Sequence, residues 1–482
     1  MKDIVNLEQL DSLSYIQGGN FNSISCFKRP FVGRRPVGND DAFIDLISIH
    51  PYEQVTINHV HGLDDDNLIN SVARHFLEMA KAHSEGLIFK KNGISDSELN
   101  IPNKVLAVTG SPYDKFPFRG SISARLSLEP YVYLGTREKR LAGARFNRGY
   151  LSHKFDQLGA SFIKLLLKPR QEYFDFSKML DFLNISPSFI LKLSLSERIR
   201  KEELNQESIL NLVSSVRFHK AKGHKEIDEE GDLSIRLLDA LHYVAGERLD
   251  KDDHFFEPLE ILCDIDLSKE PKDKKYLSSL ELLSEYDLIE LEDVIFSKSK
   301  HDFLLSQASS GELSLLFTMS SIAGEIENDS LILIDEPELS LHPEWQLNFL
   351  SLLTDIFSNY KNCHFIIATH SPNIVSSIPE DNAYIVSIDA EGANLMPSKM
   401  YHNRSADFQL ARVFNTPGNS NEYLIKTAIN IFSKVKRDKV FDEDDLENLN
   451  FLNNIKNSIP KEDSVIELIE MLNEVYQKYG RN

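Results

Sequence analysis

The stretch Leu331–Trp345, LILIDEPELSLHPEW, decides the fold. Leu331, Ile332, Leu333 and Ile334 run without alternation into Asp335 and Glu336. An unbroken apolar run of this length predicts a strand covered on both faces, as in a parallel sheet flanked by helices. Two acids at its end place carboxylates at the carboxyl edge of the sheet, where open α/β folds bind ligands. Successive strand side chains point to opposite faces, so Asp335 and Glu336 cannot share one task. One can hold a hydrated Mg²⁺ while the other polarises a water. Taken alone, the stretch equally describes a strand ending in a solvated turn.

Two companions narrow the reading. Upstream, SQASSGELSLL places Ser309, Ser310 and Gly311 at the opening of a predicted helix, with Leu313, Leu316, Met319 and Ile322 along one side. Small residues there let backbone N–H groups and the helix dipole face an anion. The plainer alternative is a serine N-cap with Glu312 in the first turn. Downstream, FIIATHSP predicts a second buried strand ending in Thr369, His370 and Ser371, where a histidine can meet a terminal phosphate. HPEWQLNFLSLLTDIFSNY between them reads as an amphipathic helix, and NAYIVSID as a third strand. Strand, helix, strand and helix in alternation predict an α/β core.

In order and spacing these segments resemble the ATP-binding-cassette ATPase core of the SMC, RecF and OLD-like (AAA_21-like) class. SSGE resembles the signature motif, LILIDEPE the Walker B strand with its catalytic glutamate, LSLHPEWQ the D-loop region, and IIATHSP the switch-histidine strand. The resemblance covers residues 305–390. It implies that Asp335 coordinates Mg²⁺ through water, that Glu336 is the general base or water-positioner, and that His370 contacts the γ-phosphate. Ser309, Ser310 and Gly311 would cap a nucleotide held by a second copy, and Ser340 to His342 would line the seam between the two. Phosphoryl transfer is mostly positioning and charge neutralisation, so all of these are needed together.

The same family carries a phosphate-binding loop, GxxxxGK[ST], after its first long strand. No Gly-Lys pair occurs in this chain. The best positional counterpart is VTINHVHGLDDDNLINSVARHFL, with Gly62 as its glycine and Asp65, Asp66 and Asn67 where the family has Gly-Lys-Ser. Acids beside a triphosphate repel it. A second candidate, VGRRPVGNDDAF, offers Arg34 and Arg35 in a poorer strand-to-helix context. Three readings stay open: a pseudo-ATPase scaffold, nucleotide held with a borrowed Arg or Lys, or a metal or other ligand site at His59, His61 and Asp64 to Asp66. Where the family has its Q-loop, AVTGSPYDKF holds no glutamine; Ser111 and Asp114 are the polar candidates, and Tyr113 and Phe116 read as packing residues.

The remaining sequence sets the surroundings. A chain of 482 residues is too long for one ordinary core. The reading divides it into an N-terminal lobe of the core at 1–170, a helical insertion at 171–302, a lobe with the motifs at 303–395, and a helical region at 396–482. No N-terminal basic-then-apolar leader and no apolar run of about 20 residues is present, so a cytoplasmic protein with no membrane span is expected. Cys26, Cys263 and Cys363 are too few and too scattered for a disulfide framework or a zinc site. The net charge of −21 argues against indiscriminate nucleic-acid coating. Residues 119–170, however, carry eleven basic residues against three acidic ones: a solvated face, or a DNA, RNA or acidic-partner contact. By resemblance, chains of this class without a coiled coil are ATPase subunits of bacterial anti-phage systems of the Septu and PARIS types. They form homo-oligomers through the cassette-type seam and control a separate nuclease or toxin effector. Neither a toprim-like nor an HNH-like segment is found after residue 395, so any nuclease is expected on a partner.

Overall fold

The structure is a computed structural model. It describes residues 43–49, 103–111, 114, 116, 131–135, 150–196, 199, 206–209, 227–245, 260–286, 288–299, 301–361, 363–381, 383–389 and 392–480. Gly62, His59, His61, Asp64 to Asp66, Arg34 and Arg35, Tyr113, Cys26 and most of the basic segment 119–148 lie outside the described residues.

The chain is a mixed α/β fold around a seven-stranded sheet. Its strands are β1 Phe43–Ile49, β2 Lys104–Thr109, β3 Tyr131–Leu134, β8 Ser330–Asp335, β9 His364–Thr369, β10 Ala383–Asp389 and β11 Gly392–Pro397, in the order β11-β10-β1-β9-β8-β2-β3. All pairings are parallel except that of edge strand β11 with β10. Every residue of β8 and β9 is buried, the outcome that their unbroken apolar runs predict. Asp335 stands in register with Thr109 on one side and Ala368 on the other.

The register settles one matter of chain direction. β1 lies between β9 and β10 and runs parallel to both, so its carboxyl end reaches the same edge as Asp335 and Thr369.

Helices cover the sheet. α1 Tyr150–Leu167 packs on α5 Ser310–Glu325, and α2 Arg170–Phe182 packs on α6 Pro343–Phe357. A Cβ at Gly324 would sit 2.9 Å from Ser161 Cα, so the α1–α5 crossing needs a glycine there. At the amino edge of the sheet, Glu325 receives Lys104 (3.0 Å) and Lys164, and Lys104 also reaches Glu327 at 3.0 Å. Burial works to raise the Glu325 carboxyl, but the two lysines outweigh it and hold it below the usual range.

The segment expected to be a helical insertion is corrected. Between 171 and 302 the structure has β4 Ser188–Leu195, β5 Glu260–Asp266 and β6 Ile289–Lys298, which with β7 His301–Leu304 form an antiparallel sheet in the order β5-β4-β6-β7. Helices α3 Ile227–Ala245 and α4 Lys274–Glu285 accompany it. The reason is periodicity: Phe189, Leu191 and Leu193 on β4 alternate with less buried Ser188, Ile190 and Lys192, and Ile261, Cys263 and Ile265 on β5 with exposed Glu260, Leu262 and Asp264. Phe189 packs its ring 4.8 Å from Phe162 of α1 and 5.2 Å from Phe296 of β6, joining this sheet to the main core.

The carboxyl-terminal region is helical as expected. After the short helix α7 Pro372–Ser376 come α8 Ala406–Arg412, α9 Glu422–Asp438, α10 Glu443–Ile455 and α11 Ser464–Tyr479. Leu424, Ile431, Leu449, Leu452, Ile469 and Leu472 share a core of their own, distinct from that of the sheets. Asn421, Asp442 and Asp463 cap α9, α10 and α11 through their side chains. No described helix is long and apolar enough to cross a membrane.

Candidate functional site

The site forms where β8 and β9 end side by side. Asp335, the last residue of β8, is 5% exposed. Immediately after it the backbone turns: Glu336 has φ +48°, a left-handed conformation that side chains with a Cβ rarely adopt. The Glu336 amide donates to Ala368 O at 2.9 Å, which pins the turn to β9. This aims the Glu336 carboxylate at His370, with Oε1 3.8 Å from Nε2 and both side chains open to solvent. The structure therefore brings Asp335, Glu336 and His370 to one edge, with Asp335 as the last strand residue and Glu336 past the strand end on the left-handed turn.

The turn continues through Leu339 N to Glu336 O (3.2 Å) and Leu341 N to Glu338 O (3.0 Å). Ser340 is left-handed as well, at φ +66°, and exposed. His342 ends the turn as the N-cap of α6, its Nδ1 accepting from the Glu344 amide at 3.3 Å. Nearby, Gln346 of α6 spans two segments. Its Nε2 donates to Leu341 O at 3.0 Å, and its Oε1 accepts from Ser371 Oγ at 2.7 Å.

Ser309, Ser310 and Gly311 open α5 behind this turn. Ser309 is engaged within the chain: its hydroxyl and amide donate to Glu312 Oε2 at 2.8 and 2.9 Å, and it caps the Glu312 amide at 3.3 Å. This is a capping box, the plainer of the two sequence alternatives, realised in the single chain. Burial alone would raise the Glu312 carboxyl; the bonds from Ser309 and from Lys298 hold it below the usual range. Ser310 is exposed. Gly311 is buried against the turn, and a Cβ there would meet Ser340 O at 2.9 Å and the Trp345 ring at 3.0 Å. Signature-like residues and D-loop-like residues thus touch within one copy.

At the end of β2, the Ser111 amide donates to Thr109 Oγ1 at 3.0 Å. Asp114 is buried and accepts from the Phe116 amide (3.0 Å) and the Tyr133 hydroxyl (2.7 Å). Those bonds fix the loop to β3 and correct the reading of Asp114 as a residue offered to a ligand. Phe116 is 1% exposed and packs, as expected. In the basic segment, Lys154 lies 5.2 Å from the Phe317 ring and Lys164 pairs with Glu325. Lys168 donates to Tyr360 Oη at 3.2 Å and to Ile326 O. All three are half-buried and engaged within the chain.

Sequence reading passed over Glu338. Its carboxylate accepts from the Thr369 hydroxyl at 2.8 Å and from the His370 amide at 2.6 Å. Burial pushes this carboxyl up, against those bonds. The available signal was its place in EPE, one turn from a buried strand end.

Among the described residues no group of three or more His, Cys, Asp and Glu side chains could enclose a metal. Asp335 supplies a single carboxylate at the sheet edge. That donor set fits Mg²⁺, which keeps most of its waters and takes further oxygens from phosphates. It does not fit a protein-enclosed transition-metal centre.

Comparison with known proteins agrees with this architecture. The AAA_21 family model, described as "AAA domain, putative AbiEii toxin, Type IV TA system", matches residues 168–376. The chain is 28% identical over 176 residues to Protein ea59 of Escherichia phage lambda, covering 34% of this chain and 32% of that protein. It is 31% identical over 105 residues to the Retron Ec83 probable ATPase of Escherichia coli, covering 20% of this chain and 19% of that one. A third relative is Septu protein PtuA of Bacillus thuringiensis, 31% identical over 112 residues, covering 20% of this chain and 28% of that one. These matches span a third or less of each relative's own length.

Proposed function

We propose, from the AAA_21 domain that the chain carries over residues 168–376, that it is an ATPase of a bacterial anti-phage defence or DNA-repair complex. It acts as the regulatory subunit, forms cassette-type dimers or higher oligomers, and controls a separate nuclease or toxin effector. The observation that carries this reading is the convergence of Asp335, Glu336 and His370 at the carboxyl ends of β8 and β9. Similarity to a retron ATPase and to a Septu protein supports the defence setting.

In this reading Asp335 holds Mg²⁺ through water, and the ion supplies charge neutralisation on the nucleotide's phosphates. Glu336 orients and deprotonates the attacking water. His370, opposite Glu336, donates to the terminal phosphate and holds it in line with that water. Ser340 and His342, both exposed, face a second copy, and Ser309 to Gly311 present the start of α5 to that copy's nucleotide. The phosphate cradle falls to the segment after β1 that contains Gly62. DNA or RNA contact is made through the basic segment 119–170, within which Lys154, Lys164 and Lys168 are engaged inside the chain.

A second reading rests on the lack of any Gly-Lys-Ser or Gly-Lys-Thr in the sequence: a scaffold that uses the same seam to bind a partner without hydrolysis. Equilibrium binding of a fluorescent ATP analogue with Mg²⁺ to the full chain tests the nucleotide reading. Saturable binding that unlabelled ATP competes supports it, and no binding at millimolar ATP leaves the scaffold. Charge reversal at Arg137, Lys139 and Arg140 tests the nucleic-acid surface. It is expected to weaken DNA or RNA binding and make its salt dependence shallower. Unchanged binding removes that surface from the proposal.

A further inference from the structure

We propose that Glu338 is a positioning residue: it ties the turn that carries Glu336 and Ser340 to the end of β9, so that His370 is set against Glu336 and a molecule moving the Ser340 turn also moves His370. This rests on the hydrolytic reading of the site and adds the means by which a second copy would act on it.

Both Glu338 oxygens reach the end of β9. Oε1 accepts from the His370 amide at 2.6 Å and Oε2 from the Thr369 hydroxyl at 2.8 Å. Thr369 Oγ1 in turn accepts from the Ser371 amide at 3.0 Å. Glu338 therefore fixes three consecutive residues, 369 to 371, from a turn more than thirty positions away in sequence. The other attachment of the turn to this segment is Gln346, through Leu341 O and Ser371 Oγ. Between the attachments stands Ser340, exposed and left-handed, while Glu336 is pinned to Ala368 O. Besides its own amide, this carboxylate accepts across to the end of the strand that leads into His370.

Glutamine can keep the arrangement in part. Its oxygen accepts from the His370 amide while its NH₂ donates to Thr369 Oγ1. Alanine keeps neither bond. The test is amide hydrogen exchange over residues 365–376 in the full chain without nucleotide, alongside steady-state ATP turnover, for wild type, Glu338→Ala, Glu338→Gln and Thr369→Val. We expect exchange at His370 and Ser371 to be at least about tenfold faster in Glu338→Ala, faster at Ser371 in Thr369→Val, and near wild type in Glu338→Gln, with α5 unchanged in all. In turnover, Glu338→Ala should lower kcat by on the order of tenfold with KM for ATP little changed, and Glu338→Gln should restore most of it. Unchanged exchange at 370–371 in Glu338→Ala, or equal loss in the Gln and Ala variants, overturns the proposal. If Glu338→Ala loses protection throughout α5, Thr369→Val decides, and unchanged exchange at Ser371 there overturns it. A wild type that turns over no ATP defeats the hydrolytic reading, while the exchange measurement still decides the clamp.

Discussion

Glu336 and His370 face each other at 3.8 Å across two adjacent strand ends, one on a left-handed turn and the other on an amide bonded to Glu338. Their side chains are 37% and 48% exposed, so mutual attraction contributes no more than about 1 kcal/mol. A left-handed non-glycine residue costs on the order of 1–3 kcal/mol. The turn at Glu336 thus costs more than the contact it creates returns. It is held by the Ala368 carbonyl and the Glu338 carboxylate instead. Such a turn matches the catalytic role proposed for Glu336.

Gly311→Ala will destabilise the fold by about 1–3 kcal/mol, because its methyl would meet the Ser340 carbonyl and the Trp345 ring in a filled site. Thermal or denaturant unfolding measures it. A Tm equal to wild type would show that the α5 start does not pack against the turn as described.

Ser340→Gly will leave stability unchanged or raise it by up to about 1 kcal/mol, since φ +66° is strained for serine and its side chain is exposed. Chemical denaturation with matched m-values checks this. A loss above about 1 kcal/mol would mean that the hydroxyl holds the turn in a way the structure does not show.

Lys168 carries a pH dependence. Burial lowers its ammonium to about 8, against the pull of Glu172. The unfolded lysine keeps its proton to about pH 10.4, so between the two values the unfolded chain binds more protons than the native one. Wild-type stability will therefore rise relative to Lys168→Met from about pH 8 to pH 10, by up to a few kcal/mol. A gap between the two proteins that is flat across that window would place Lys168 in contact with water.

Much of this was legible in the sequence, for identifiable reasons. The unbroken runs of Leu331 to Ile334 and Phe365 to Ala368 give β8 and β9 directly, and with them the placement of Asp335, Glu336 and His370. Ser309 with Glu312 three residues on announced the capped start of α5. Strands β4 and β5 were missed although Phe189, Leu191 and Leu193, and Ile261, Cys263 and Ile265, alternate in plain view. The Leu, Glu, Lys and Ser content of that region suggested helix and outweighed the two-residue period. Glu338 was legible only as a position in EPE, because its bonds depend on the reversal at Glu336, which carries the chain back toward β9. No local pattern encodes that reversal.

ATP turnover by the purified full chain beside Glu336→Gln decides whether this site hydrolyses the nucleotide. Wild type is expected to hydrolyse ATP with Mg²⁺, and Glu336→Gln to bind the nucleotide as tightly while losing at least about a hundredfold in kcat. A wild-type chain with no turnover, or a Glu336→Gln chain as fast as wild type, would contradict it.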